Sequence, residues 1–113
     1  MKTEFAYLKD ALGITEDIAS RLIGKTEQDF IDDINFQDAI TLRIAYVGEA
    51  LNHTSPNFQE AHPEIPWRQA IGMRNRLAHD YHRIDTKDIW ATATQDLPEL
   101  RAVIQKILDT HHA

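Results

Sequence analysis

Residues 73–81 read MRNRLAHDY, which places Arg74, Asn75, Arg76, His79 and Tyr81 in one short run. A solvated helix face accounts for charges, but not for an amide, an imidazole and a phenol beside them. A guanidinium fork matches phosphate oxygens in bidentate fashion, and histidine titrates near neutrality. Arg74 binding and neutralising a phosphate while His79 moves a proton would suffice for attack by an RNA 2′-hydroxyl on the adjacent phosphorus. That chemistry asks for no metal and no cofactor. The competing reading is structural, with His79 bonded to a carbonyl and Arg74 paired with a carboxylate such as Asp80 or Asp85. On a regular helix Asn75 and His79 share a face, whereas Arg74 and His79 lie about 140° apart. Met73 and Leu77 would face a core, leaving Arg74, Asn75 and His79 along its edge.

Helical periodicity dominates the elements that must position these groups, and strand-like alternation is absent. Phe5, Leu8, Leu12, Ala19 and Leu22 suit one face of a first helix, with Gly24 near its end. Thr26 with Asp29 forms an N-cap signal that opens a short helix around 27–33. Asn35 with Asp38 repeats the signal ahead of the stripe Phe36, Ile40, Ile44, Val47 and Leu51. Residues 53–66 hold three prolines and read as a connector with one short turn after Ser55-Pro56. Pro66 suits the first position of a third helix, whose buried face is Trp67, Ala70, Met73 and Leu77. Asp85 with Asp88 caps a final helix with the stripe Ile89, Ala93, Leu97, Leu100, Ile104, Ile107 and Leu108. Pro98 interrupts that stripe without breaking its period, so a kink or a restart capped by Asp96 is expected. Four main amphipathic helices with short links hide their stripes against one another. The expectation is an all-α antiparallel helical bundle, one domain over residues 1–113, with short helical turns.

The 113 residues suffice for one core without staples, and 42% hydrophobic with 27% charged residues is a globular composition. No cysteine is present, which excludes disulfides and thiolate metal sites. No apolar run approaches the roughly 20 residues of a membrane span, and the N-terminus MKTEFAYLKDAL lacks a signal-peptide core, so no membrane partner and a cytoplasmic address are expected. A net charge of −6 argues against a non-specific nucleic-acid coat. Yet from Trp67 to Lys87 five basic residues face two acidic ones, a local balance of +3, while the remainder stands at −9. Metal and cofactor alternatives find little support. There is no His-Glu-x-x-His pattern, and His111-His112 fall in a tail expected to fray. Ser20 and Ser55 lie in no nucleophile elbow, and no phosphate-cradling glycine loop occurs. Trp67 and Trp90 read as core anchors rather than base-stacking platforms, and Tyr46 as core or interface.

RNRLAHDY resembles the Arg-x-x-x-x-His motif of the HEPN superfamily, in the Arg-Asn-x-x-x-His-x-Tyr form of the HepT-like toxins. GEALN, HPEIPWRQAIGMRN and IDTKDIWATATQDLPEL resemble the same family in order and spacing, so the likeness spans roughly residues 30–108. It implies an all-α HEPN bundle acting as a homodimer, with a composite cleft built from both motifs. HepT-like proteins are metal-independent endoribonucleases, toxins neutralised by an MntA-like nucleotidyltransferase antitoxin that transfers AMP onto the motif tyrosine. Carried over residue by residue, Arg74 and His79 would be catalytic, Asn75 would support their geometry, and Tyr81 would accept AMP. Arg76 falls at a variable motif position and is assigned only to RNA contact. The dimer also has a chemical motive. Transesterification needs a base for the 2′-hydroxyl and an acid for the leaving 5′-oxygen, yet each chain offers one motif histidine, with His82 as a rival. A different class of function, a non-catalytic helical subunit that binds a nucleotidyltransferase, has no need for both Arg74 and His79.

Overall fold

The computed structural model of the chain describes residues 3–112, with side chains over 3–111. Among the described residues every regular element is helical: α1 (Glu4–Leu22), α2 (Glu27–Asp32), α3 (Ile34–Asn52), α4 (Pro56–Ala61), α5 (Trp67–His79), α6 (Thr86–Ala91) and α7 (Leu97–His112). A 3₁₀ turn, Tyr81–Arg83, follows α5, and a π-helical segment, Thr92–Asp96, joins α6 to α7. The protein is an all-α helical bundle in which α3 packs on both α1 and α5, and α1 packs on α7.

The apolar stripes explain that arrangement. Ile40, Ile44, Val47 and Leu51 are buried along α3, with Phe36 half-buried at its start. All seven apolar positions expected from Ile89 to Leu108 are buried. On α5 only Leu77 is buried; Trp67, Ala70 and Met73 are half-buried, as suits a helix at the margin of the core. The buried line of α1 is Leu8, Ala11, Thr15 and Ile18, rotated from the expected face, which leaves Phe5, Leu12 and Leu22 half-buried.

Caps settle most boundaries. Thr26 and Asp29 form a reciprocal capping box that opens α2. Gly24 takes φ 74°, a left-handed conformation that turns the chain out of α1 without a Cβ penalty. The expected Asn35–Asp38 cap does not form. Asp33 caps α3 instead, its carboxylate accepting from Asn35 and Phe36 N–H, because the helix already begins at Ile34. Pro66 stands just before α5 rather than inside it, although its carbonyl accepts from Ala70 N–H at 3.1 Å. Nor does Asp96 restart a helix. The backbone widens to i→i+5 bonding, with Leu97 N–H donating to the Thr92 carbonyl, immediately before Pro98. The wider turn accommodates a residue that has no N–H and crowds the preceding turn.

Aromatic residues tie the ends together. Trp67 donates its indole N–H to the His62 carbonyl at 2.9 Å, and Trp90 packs on Phe30 with ring centroids 5.4 Å apart. Both tryptophans therefore anchor the fold. His111 is not in a frayed tail: its ring stacks on Phe5 at 3.6 Å and 12°. The side chain of His112 lies outside the described residues. Tyr46 is half-exposed rather than in the core.

Candidate functional site

The motif occupies the second half of α5 and the 3₁₀ turn beyond it. α5 ends because Asp80 leaves helical geometry, and its N–H closes the last turn on the Arg76 carbonyl at 2.7 Å. Arg83 N–H then bonds the Asp80 carbonyl at 2.8 Å, winding Tyr81 back toward α3. No helix among the described residues is long and apolar enough to cross a membrane. Among the same residues no group of three His, Asp or Glu side chains converges as a metal-ligand set.

Arg74 lies where α5 and α3 approach most closely. A Cβ on Gly48 would collide with the Cβ of Arg74 and stand 2.8 Å from the Ala70 carbonyl oxygen, so only glycine lets the helices meet there. The Arg74 Nε–H donates to Glu49 Oε2 at 2.7 Å, and Nη1 donates to Asn75 Oδ1 at 2.8 Å. The carboxylate partner of Arg74 is therefore Glu49, not Asp80 or Asp85. Glu49 is shared, since its Oε1 lies 3.3 Å from His53 Nε2. Asn75 itself is exposed, its amide oxygen turned to the guanidinium.

His79 and Arg76 are exposed on the last turn of α5 and make no hydrogen bond or ion pair among the described residues. The bond from His79 to a carbonyl that the competing structural reading requires does not form among the described residues. Tyr81 is 38% exposed, and its hydroxyl donates to Asp38 Oδ1 at 2.8 Å. That hydrogen bond, then partial burial and the carboxylate's charge, hold the phenol above its ordinary pKa. His82 is exposed beside it, the two rings 5.7 Å apart.

Three residues of this site escaped sequence reasoning: Asp38, Gly48 and Glu49. A signal existed. Asp38, Leu42, Tyr46, Glu49 and His53 fall within about 80° of one another around a helix axis, a polar stripe interrupted by two apolar residues. Leu42 and Tyr46 are 50% and 52% exposed on that stripe, so the surface beside the motif is partly apolar.

The sequence profile described as Ribonuclease HepT-like matches residues 11–107. A protein of Caldanaerobacter subterraneus subsp. tengcongensis, named a putative RNase, is 32% identical over 108 residues, covering 96% of each chain. One of Thermococcus cleftensis, named a probable ribonuclease HepT, is 35% identical over 80 residues, 71% of this chain and 73% of its own. A putative RNase of Methanocaldococcus jannaschii is 29% identical over 103 residues, 91% of this chain and 89% of its own. No solved structure gives a significant match. The profile spans every helix that carries or braces the motif, from the middle of α1 to near the end of α7, and on that extent the chain belongs to the ribonuclease HepT-like family.

Proposed function

We propose that this chain is a metal-independent endoribonuclease, the toxin half of a toxin–antitoxin pair, with Arg74 and His79 as its catalytic residues. The observation that carries the reading is the state of His79. It is an exposed imidazole with no hydrogen bond or ion pair among the described residues, on the helix that carries a tethered arginine, and so it is open to a substrate. Membership of the ribonuclease family supplies the substrate class.

In this reading the RNA 2′-hydroxyl loses its proton to an imidazole and attacks the adjacent phosphorus. The 5′-oxygen leaves with a proton from a second group, and a 2′,3′-cyclic phosphate remains. Arg74 neutralises the charge that builds on the phosphoryl oxygens. A homodimer supplies the second proton group by bringing His79 of the partner subunit into the same cleft. The exposed Leu42 and Tyr46 offer apolar surface for that contact, beside the site. Arg76, exposed and unpaired among the described residues, contacts RNA phosphate.

Tyr81 is the point of control, as the acceptor of AMP from an MntA-like nucleotidyltransferase. Its phenolic oxygen bonds the α-phosphorus of ATP, pyrophosphate leaves, and the phenol proton is released. The adduct adds about one negative charge, which competes with RNA phosphate for Arg74 and Arg76. A cytoplasmic address fits a protein that meets both RNA and ATP.

The test is inducible expression of the chain, with growth and total RNA followed beside His79→Ala. Wild type should arrest growth and fragment RNA; equal arrest by His79→Ala would defeat the catalytic assignment. Co-expression with the nucleotidyltransferase should add AMP mass that disappears in Tyr81→Phe, and its persistence there would place the modification elsewhere.

A further inference from the structure

We infer that Glu49 is the positioning residue of this site: it fixes the guanidinium of Arg74 so that only its outer N–H groups face the substrate. The inference rests on the ribonuclease reading above for its catalytic consequence, but its geometry stands apart. A guanidinium carries five N–H bonds. One, on Nε, goes to Glu49 Oε2 at 2.7 Å, and one on Nη1 goes to Asn75 Oδ1 at 2.8 Å. Three remain, all on the two Nη atoms, where a phosphate could be met by a pair of parallel bonds.

Glu49 is itself braced. Its other oxygen lies 3.3 Å from His53 Nε2, and the His53 ring stacks on Tyr7 of α1 at 5.2 Å and 16°. Orientation thus passes from α1 through Tyr7, His53 and Glu49 to Arg74. The Arg74 stem packs directly over Gly48, the neighbour of Glu49 on α3, in the space a Cβ there would fill. As an ion pair between half-exposed side chains, Glu49–Arg74 adds little to folding. Its effect is directional, because an arginine held by two acceptors pays less to meet a developing charge.

Two variants and two readouts test this. Glu49→Ala removes the acceptor. Glu49→Gln keeps an oxygen at the same reach and drops the charge. RNA cleavage by Glu49→Ala should lose about 10–100-fold in kcat without a rise in KM, as expected when a binding group remains but is misplaced. Glu49→Gln should recover most of that loss. Independently of RNA, the Arg74 Nε–H resonance, assigned by its loss in Arg74→Lys, should be protected in wild type and in Glu49→Gln and absent in Glu49→Ala. A kcat for Glu49→Ala within about twofold of wild type would overturn the proposal. So would equal losses in both variants accompanied by lower melting temperatures, which would mark a structural role. If wild type cuts no RNA, the ribonuclease reading fails, and the resonance alone decides whether Glu49 holds Arg74.

Discussion

Tyr81 and Asp38 show how one hydrogen bond becomes a measurable property. The phenol donates to Asp38, and that bond, with partial burial and the nearby negative charge, favours the neutral form in the folded protein. Its folded pKa therefore lies above the ordinary phenol value of about 10. The bond's contribution is complete below the unfolded value and disappears as pH rises through the folded one. In a phenolate absorbance titration, the difference between wild type and Tyr81→Phe should be a step above the range of a free phenol, and Asp38→Asn should move that step down. A difference step at the free-phenol value would contradict the bond. Side-chain chemistry made Arg74 and His79 legible as candidates and the family resemblance added Tyr81, yet their partners were hidden. Asp38 lies 43 positions from Tyr81, and Glu49 lies 25 from Arg74. Spacing along one helix says nothing about which residue of another helix faces it.

Stripes of matched period made the helices readable, although the buried face of α1 is rotated from the expected one, and a polar residue able to serve two ends misplaced the cap of α3. Asp38 has the right type and spacing for an N-cap, but its carboxylate is engaged by Tyr81, and Asp33 does the capping. The period across Pro98 survived because a widened turn absorbs the proline, a solution that composition does not encode. Gly48 marks the limit most clearly, since a glycine in a helix reads only as a weakness until its neighbour is known. Gly48→Ala gains roughly 1 kcal/mol of helix propensity, but overpacking against a backbone carbonyl costs about 1–3 kcal/mol. Because the Ala70 oxygen cannot yield as a side chain would, a net destabilisation of about 1 kcal/mol or more is expected in urea melts. Gly72, inside α5, has nothing within 4 Å of its would-be Cβ, so Gly72→Ala should instead stabilise by up to about 1 kcal/mol. The reverse order of the two variants would refute the close approach of α3 and α5.

For the molecule as a whole, the basic segment from Trp67 to Lys87 on an acidic chain would concentrate attraction for RNA along α5 and the turn after it. A two-fold pairing through Leu42 and Tyr46 would double that patch and supply both proton-transfer groups. Light scattering of an active sample should then give twice the 13.0 kDa chain mass, and specific activity should fall on dilution. Full activity from a species of single-chain mass would exclude a composite site. All of this depends on Arg74 and His79 cutting RNA, and the direct measurement is cleavage of labelled RNA by purified protein in the presence of EDTA. His79 is exposed and unbonded among the described residues, so His79→Ala should shift stability by no more than about 0.5 kcal/mol. Arg74→Ala loses a half-exposed ion pair worth about 0–1 kcal/mol. Wild type should cleave in chelator and leave 2′,3′-cyclic phosphate ends or their hydrolysis product, while both folded variants leave the RNA intact. Cleavage that stops in EDTA, or that either variant performs at the wild-type rate, would contradict the account.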